Sequence, residues 1–196
     1  MAISIKDGQM IYTKPIKISF FGPSGSGKST ASQLSRKIFS KLLPSHWFKK
    51  CDVAEPLHLI QNYIYDKMGI QNLSQDGELL QFLAKRFEDN LGHKCIDKVK
   101  DVVHTYQGKV ICVNSDCRNN AYKYLKDNGF IFIKIETKPS MRGERVVERG
   151  DITIADKKSR VESTNKIEAD YVISNNGSLP QFKSSLEEVI KKIIVI

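Results

Sequence analysis

The feature that most constrains this chain is a glycine-rich turn between an apolar segment and a helical one. Residues 16–30 read IKISFFGPSGSGKST, so an apolar run ends at Gly22, and Gly27, Lys28 and Ser29 follow after four residues. A Gly-x4-Gly-Lys-Ser/Thr turn between a strand and a helix is typical of a phosphate-binding loop. Its glycines let successive backbone N–H groups point at one anion, and the helix N-terminus adds its positive end.

Two side chains of this turn have specific expected roles. Lys28 is long enough to reach β- and γ-phosphates, and the hydroxyl of Ser29 can bind Mg²⁺. The alternative interpretation is a Gly/Ser-rich linker. A linker is not usually preceded by a strand pattern and closed by Lys-Ser-Thr, so the phosphate-binding interpretation is favoured.

Length and composition fit one soluble globular domain, because the chain has 196 residues, of which 40% are hydrophobic and 27% are charged. The net charge of +9 suits nucleotide phosphates and would also suit nucleic acid. The basic residues are spread out, so a nucleic-acid-binding tail is not indicated. Neither a signal peptide nor an apolar stretch of membrane-spanning length is visible, and we expect a cytoplasmic protein.

The cysteines indicate free thiols in a reducing compartment. Cys51, Cys95, Cys112 and Cys117 form no Cys-x2-Cys pair, and their spacings from one another and from His93 fit no zinc signature.

Strand and helix patterns alternate along the chain. Strands are predicted over 16–21, 46–51, 109–114, 130–136 and 170–174, and helices over 28–43, 54–68, 74–91, 95–106, 119–128 and 181–193. This alternation predicts an α/β fold in three layers, with a central parallel sheet and helices on both faces. Residues 1–15 are expected to form a leader or a hairpin that turns at Asp7-Gly8, and residues 16–196 a single domain.

Acidic side chains follow two of the predicted strands. Ligands of such sheets bind beyond the carboxyl ends of the strands, where Gly22, Asp52, Asp116 and Glu136 would meet in one cleft. Asp52 could bind Mg²⁺ through water, orient an acceptor or act as a base, and Glu55 lies one helical turn further on. The alternative for Asp52 is a helix N-cap.

A second acidic segment follows the most apolar strand. Asp116 in this position has the Walker B arrangement, which holds Mg²⁺ directly or through water. Arg118, two residues later, could form a forked contact with a phosphate. The alternatives are a helix cap for Asp116 and a surface cation for Arg118.

Three arginines are expected on one helix face, because Arg142, Arg145 and Arg149 are spaced by three and four residues. They could belong to a lid that closes over the transferring phosphoryl group and excludes water. The alternative is a solvated helix in which Glu144 and Glu148 balance the positive charge.

Two further groups are candidates for ligand contacts. Gln81 and the Lys85-Arg86 pair lie on a helix inserted between the second and third strands of the sheet, where they could face an acceptor or solvent. The Asn175-Asn176-Gly177-Ser178 segment follows the last strand, where its backbone could contact adenine or cap the closing helix.

These segments resemble the P-loop nucleoside and deoxynucleoside monophosphate kinases and the related dephospho-CoA kinases. Besides the loop, DVAEPLH at 52–58, LLQFL at 79–83 and NSDCR at 114–118 are similar to segments of the deoxynucleotide kinases, and ADYVISNNGS at 169–178 is similar to a closing segment that both groups share. The sequence departs from the family pattern at His58, where a lysine is expected, at Ala84, where a glycine is expected, and at 160–163.

The resemblance implies an ATP-dependent phosphotransferase with Mg²⁺ as cofactor. It places ATP on Gly22, Ser24, Gly25, Ser26, Gly27, Lys28, Ser29 and Thr30, with Asn176 and Gly177, and it places the acceptor near Asp52, Glu55, Gln81, Arg86 and Arg118. Residues 52–106 would form the acceptor-binding insert, and residues 138–165, with Arg142 and Arg145, the lid. Lys28, Asp52, Arg118, Arg142 and Arg145 would act in catalysis, and Ser29 with Asp116 or Asp52 would hold the metal.

The implied acceptor is a small phosphorylated molecule, and a (deoxy)nucleoside monophosphate is our first expectation. The second is a ribose hydroxyl, as in dephospho-CoA kinases, with Asp52 as the base. A module that binds ATP without transferring phosphate, and a protein that binds nucleic acid, are the alternatives from other functional classes.

Overall fold

The computed structural model describes residues 3–6, 9–12, 15–71, 74–91, 96–105, 108–151, 164 and 166–195. The strands are β1 (Ile3–Lys6), β2 (Gln9–Tyr12), β3 (Ile16–Phe21), β4 (Trp47–Lys50), β5 (Val110–Asn114), β6 (Ile131–Glu136) and β7 (Tyr171–Ser174). The helices are α1 (Lys28–Leu42), α2 (Glu55–Lys67), α3 (Gly77–Leu91), α4 (Ile96–Thr105), α5 (Asn119–Asp127), α6 (Pro139–Glu148) and α7 (Leu179–Val195).

Five strands form one parallel sheet in the order β4-β5-β3-β6-β7, which confirms the predicted fold class. The strand that leads into the glycine-rich turn is central: Ile18 is in register with Val113 of β5 on one side and with Ile131 of β6 on the other. Parallel strands need covered faces, which explains why all five residues of β5 are buried.

Side chains that alternate along the strands supply two cores. On one face, Ile18 and Phe20 of β3 pack with residues of α1 and α7, including Phe39 and Leu186. On the other face, Phe21 packs with residues of α4 and α5. Because all the strand pairs of this sheet are parallel, the carboxyl ends of the strands lie at one edge.

The predicted N-terminal hairpin is present as a separate two-stranded antiparallel sheet, in which Lys6 pairs with Gln9 and Ile3 with Tyr12. The expected turn residues, Asp7 and Gly8, lie outside the described residues.

Two helices begin more than one residue away from their predicted starts. Helix α3 begins at Gly77 rather than at Ser74, because the carboxylate of Asp76 accepts a hydrogen bond from the Leu79 N–H (3.0 Å) and caps the helix. Helix α7 begins before Pro180, since proline is tolerated in a first turn, and Ser178 caps it with Gln181 in a capping box.

The described cysteines, Cys51, Cys112 and Cys117, are free and buried, as expected, and Cys95 lies outside the described residues. None of the helices that the structure describes is both long enough and apolar enough to cross a lipid bilayer.

Candidate active site

The glycine-rich turn fits closely against the ends of two neighbouring elements. Gly22 has φ +143°, and a Cβ atom there would lie 2.6 Å from the carbonyl oxygen of Ile135 in β6. Gly25 has φ +76°, and a Cβ atom there would lie 2.6 Å from the carbonyl oxygen of Arg142 in α6. Both positions therefore require glycine for conformation and for space, and α6 lies directly against the loop.

Residues that follow β6 and β7 also hold the loop in place. The Asn175 side-chain amide, which is buried, donates to the Ser26 carbonyl (2.9 Å), and the Thr137 hydroxyl donates to the same oxygen (3.0 Å). Arg145 donates to the Asn175 carbonyl (3.4 Å). The sequence indicated backbone contacts of the segment 175–178 with adenine and selected Asn176, which is exposed, but it did not predict the contact of the Asn175 side chain with the loop.

The predicted phosphate-binding side chains follow the loop into α1. The Lys28 ammonium donates to the Pro23 carbonyl of the loop (2.8 Å), Ser29 is exposed, and Thr30 is half-buried. Ser24 accepts a hydrogen bond from the Arg149 guanidinium (3.5 Å). The Lys28 ammonium therefore lies against the loop, where it is expected to bind the phosphates of a nucleotide.

Three buried polar atoms around the loop have no hydrogen-bond partner among the described residues: Ser26 Oγ, Arg142 Nε and Arg145 Nη1. Buried polar groups normally have partners, and guanidinium groups bind phosphate oxygens in forked geometry. Arg142, Arg145 and Ser26 thus have donor groups without a partner among the described residues. A polyphosphate, which carries several anionic oxygens, fits this set of donors.

Replacing Arg145 by methionine should weaken binding of a non-hydrolysable ATP analogue ~10–100-fold, because one charge-assisted contact is lost. Isothermal titration calorimetry would measure this affinity. Arg36→Met, at an exposed position of α1, is the matched control and should leave the affinity unchanged. Equal affinities for the Arg145 variant and the wild type would contradict a phosphate contact.

A buried acid, Asp52, follows strand β4. The Asp52 carboxylate is 8% exposed and accepts hydrogen bonds from the Ser115 N–H (2.6 Å) and the Ser115 hydroxyl (2.9 Å to each oxygen). The Lys50 ammonium forms an ion pair with it (2.6 Å). Burial lowers the pKa of Lys50, but the hydrogen bond and charge of Asp52 outweigh it and raise that pKa overall, so Lys50 stays protonated.

The second acid is already engaged by hydrogen-bond donors. Asp116 Oδ1 accepts from the Val53 N–H (2.8 Å) and from the Asn114 amide (2.7 Å), and Oδ2 accepts from the Ala54 N–H (2.6 Å). Burial and the charge of Asp52 raise the pKa of Asp116 to about 6. The N–H donors that precede α2 resemble the helix-cap alternative more than the expected metal ligand.

The described residues supply few ligands for a metal ion. No group of three or more His, Cys, Asp or Glu side chains with metal-binding geometry occurs among the described residues. Mg²⁺ commonly keeps its waters and binds through one or two protein oxygens together with substrate phosphates. The Ser29 hydroxyl at the start of α1 fits that pattern.

The other predicted acceptor residues are exposed. Glu55 begins α2, Gln81 and Arg86 lie on α3, and Arg118 precedes α5. The region 152–163, part of the expected lid, lies outside the described residues.

Arg149, one of the three arginines expected in the lid, and His58 also lie at this site. Arg149 lies just beyond α6 rather than on its face, and its guanidinium pairs with Asp151 as well as with Ser24. Burial and the positive charges of Lys50 and Arg149 lower the pKa of His58, while Asp52 opposes them. The His58 imidazole is therefore half-buried and largely neutral, and it lies near Asp52.

Strand order gives the spacing of the site. Asp52 follows β4, and the phosphate loop follows β3, two strands away in the sheet. Neighbouring strands lie ~4.8 Å apart, so the two chain segments start about 10 Å from each other. A gap of this size accommodates a phosphoryl group and the acceptor atom that receives it.

Comparison with known proteins gives full-length matches at low identity. The chain is 24% identical over 196 aligned residues to a UPF0200 protein of Sulfurisphaera tokodaii, covering 90% of this chain and 97% of that one. It is 23% identical over 193 residues to a dephospho-CoA kinase of Staphylococcus haemolyticus, covering 90% and 95%. No protein-family model matches.

Solved structures match over the same extent. The APS kinase of Mycobacterium tuberculosis aligns with TM-score 0.52 at 15% identity, covering 94% of this chain and all of that one. The shikimate kinase of Bacteroides thetaiotaomicron aligns with TM-score 0.50 at 14% identity, covering 91% and 98%. The solved structures confirm the predicted P-loop kinase fold, and the match to a dephospho-CoA kinase confirms the resemblance that the sequence indicated.

Proposed function

We propose that this chain is an ATP-dependent kinase that transfers a γ-phosphoryl group to a hydroxyl of a small anionic molecule. The observation that supports this proposal best is Asp52: a buried carboxylate, fixed by Ser115 and Lys50, two strands from the phosphate loop. A carboxylate in this place can accept a hydroxyl proton, whereas it would repel an incoming phosphate.

On the donor side, the loop amides and Lys28 would bind the β- and γ-phosphates of ATP. Arg142 and Arg145, whose guanidinium nitrogens have unused hydrogen-bonding capacity among the described residues, would stabilise the charge that develops on the equatorial oxygens. The Ser29 hydroxyl would hold Mg²⁺, which supplies charge neutralisation between the β- and γ-phosphates. Asn176 and Gly177 remain proposed contacts for the nucleotide.

On the acceptor side, the hydroxyl oxygen attacks the γ-phosphorus while the bond to the β,γ-bridging oxygen breaks and ADP leaves. The hydroxyl proton passes to the Asp52 carboxylate. The Lys50 ammonium forms an ion pair with that carboxylate. Arg118 and Arg86 would bind anionic groups of the acceptor, and Glu55 and Gln81 would contact its polar groups.

The second candidate acceptor is a (deoxy)nucleoside monophosphate. The cationic side chains near the site favour it, as do the segments at 52–58 and 79–83 that are similar to deoxynucleotide kinases. Such an acceptor already has a nucleophilic phosphate oxygen and needs no base. Asp52 would then orient the acceptor rather than remove a proton.

The test is an ADP-release screen with dephospho-CoA and with each nucleoside and deoxynucleoside monophosphate, run at fixed ATP and Mg²⁺. We expect one acceptor class to raise ADP release at least tenfold above the rate with ATP alone, and mass spectrometry should detect the phosphorylated product. ADP release that no acceptor changes, together with tight ATP binding, would favour a non-catalytic ATP-binding module. Oligonucleotide binding that weakens steeply with salt would favour a nucleic-acid function.

A further inference from the structure

The carboxyl ends of β4 and β5 are joined by a reciprocal set of hydrogen bonds. The acid after each strand accepts from the backbone of the other segment: Asp52 from the Ser115 N–H, and Asp116 from the Val53 and Ala54 N–H groups. The Asn114 amide also donates to the Cys51 carbonyl (3.0 Å). We call these contacts the strand-end clasp.

From this geometry we infer that Asp116 is a positioning residue that fixes the segment bearing Asp52, and not a ligand of Mg²⁺. The part of the inference that concerns Asp52 rests on the proposed function. The part that concerns the metal does not, because it can be tested by nucleotide binding alone.

The donors around Asp116 argue against a metal at this position. A carboxylate has about four lone-pair sites, and three of them face N–H donors at 2.6–2.8 Å. Val53 and Ala54 immediately precede α2, so their N–H groups form part of the positive end of that helix. A helix N-terminus stabilises an anion and disfavours a cation beside it.

The clasp also connects the acid to the phosphate-loop strand. The Ser19 hydroxyl of β3 donates to Asn114 Oδ1 (2.9 Å), and the Asn114 amide donates to Asp116 Oδ1 (2.7 Å). Ser19 and Asn114 are both fully buried. Asp116 is therefore the last member of a chain of hydrogen bonds that runs from Ser19 in β3 to the backbone just before α2.

A measurement on the wild-type chain separates the two roles. If Asp116 binds Mg²⁺ directly, the cation competes with the N–H donors for the carboxylate, and amide hydrogen exchange at Val53 and Ala54 should accelerate when Mg²⁺ is added to the complex with a non-hydrolysable ATP analogue. A positioning role predicts exchange that is unchanged within twofold, or slower. An acceleration of tenfold or more that requires Mg²⁺ would overturn the inference.

The variant Asp116→Asn gives the complementary result. It should accelerate exchange at Val53 and Ala54 at least tenfold, because the carboxamide cannot accept from all three donors, while the Mg²⁺ concentration that half-saturates analogue binding changes less than twofold. Asp127→Asn, on the exposed face of α5, is the matched control and should change neither. Lost Mg²⁺ dependence with unchanged exchange would refute the positioning role.

Kinetics then test whether Asp116 acts through Asp52. With the acceptor found in the screen, Asp116→Asn should lower kcat at least tenfold in the wild-type background and less than twofold in an Asp52→Asn background. Independent, multiplicative losses in kcat would contradict action through Asp52. A screen that finds no acceptor would count against the proposed function and would leave the two exchange experiments as the test of this inference.

Discussion

The variant Lys28→Ala is expected to lower kcat for acceptor-dependent ADP release ~30–1,000-fold. The lysine ammonium already lies 2.8 Å from a carbonyl of the phosphate loop, and its loss removes one cation from the transferring phosphoryl group. Removing one such charge from a preorganised site raises the barrier by ~2–4 kcal/mol. Steady-state kinetics at saturating ATP would measure the change.

The matched control for this variant is Lys37→Ala, which removes an exposed lysine from the same helix. Its kcat should equal that of the wild type. A Lys28→Ala enzyme with full acceptor-dependent activity would show that the loop is not the donor site.

Asp52→Asn is expected to lower kcat ~10²–10⁴-fold if the acceptor is a hydroxyl, because a carboxamide cannot take the proton. With a nucleoside monophosphate acceptor the same change should lower kcat less than tenfold. The replacement keeps the size of the side chain, so the Ser115 contacts can persist in part. Single-turnover rates with the acceptor found in the screen would separate the two outcomes.

Asp66→Asn, on an exposed position of α2, serves as the control, and a loss of activity there would point to a general defect. Full activity of Asp52→Asn with a hydroxyl acceptor would exclude Asp52 as the base.

The phosphate loop and the parallel sheet could be predicted from sequence because their signals are local. Glycine spacing, an apolar strand and a helix start lie within fifteen residues, and strand–helix alternation then favours one sheet topology. The strand order confirms that topology. Helix starts were less predictable, since Asp76 and Ser74 are both good caps by composition and only tertiary contacts decide between them.

The role of Asp116 was not predictable in the same way. An acid after a buried strand has the same local pattern whether it faces a metal or the backbone of a neighbouring strand. The difference depends on the pairing of β5 with β4 across 60 residues of sequence, which brings Val53 and Ala54 beneath its carboxylate. The contacts of Asn175 and Arg149 with the loop were unpredicted for the same reason, because they span long sequence separations.

Among the described residues, strand β4 pairs with one neighbour, β5, and so lies at an edge of the sheet, whereas β3 has a paired strand on each side. The glycine-rich loop therefore follows an enclosed strand, and Asp52 follows an edge strand. If the chain acts as proposed, substitutions near the edge strand can change the acceptor during evolution or directed selection while the phosphate loop stays the same.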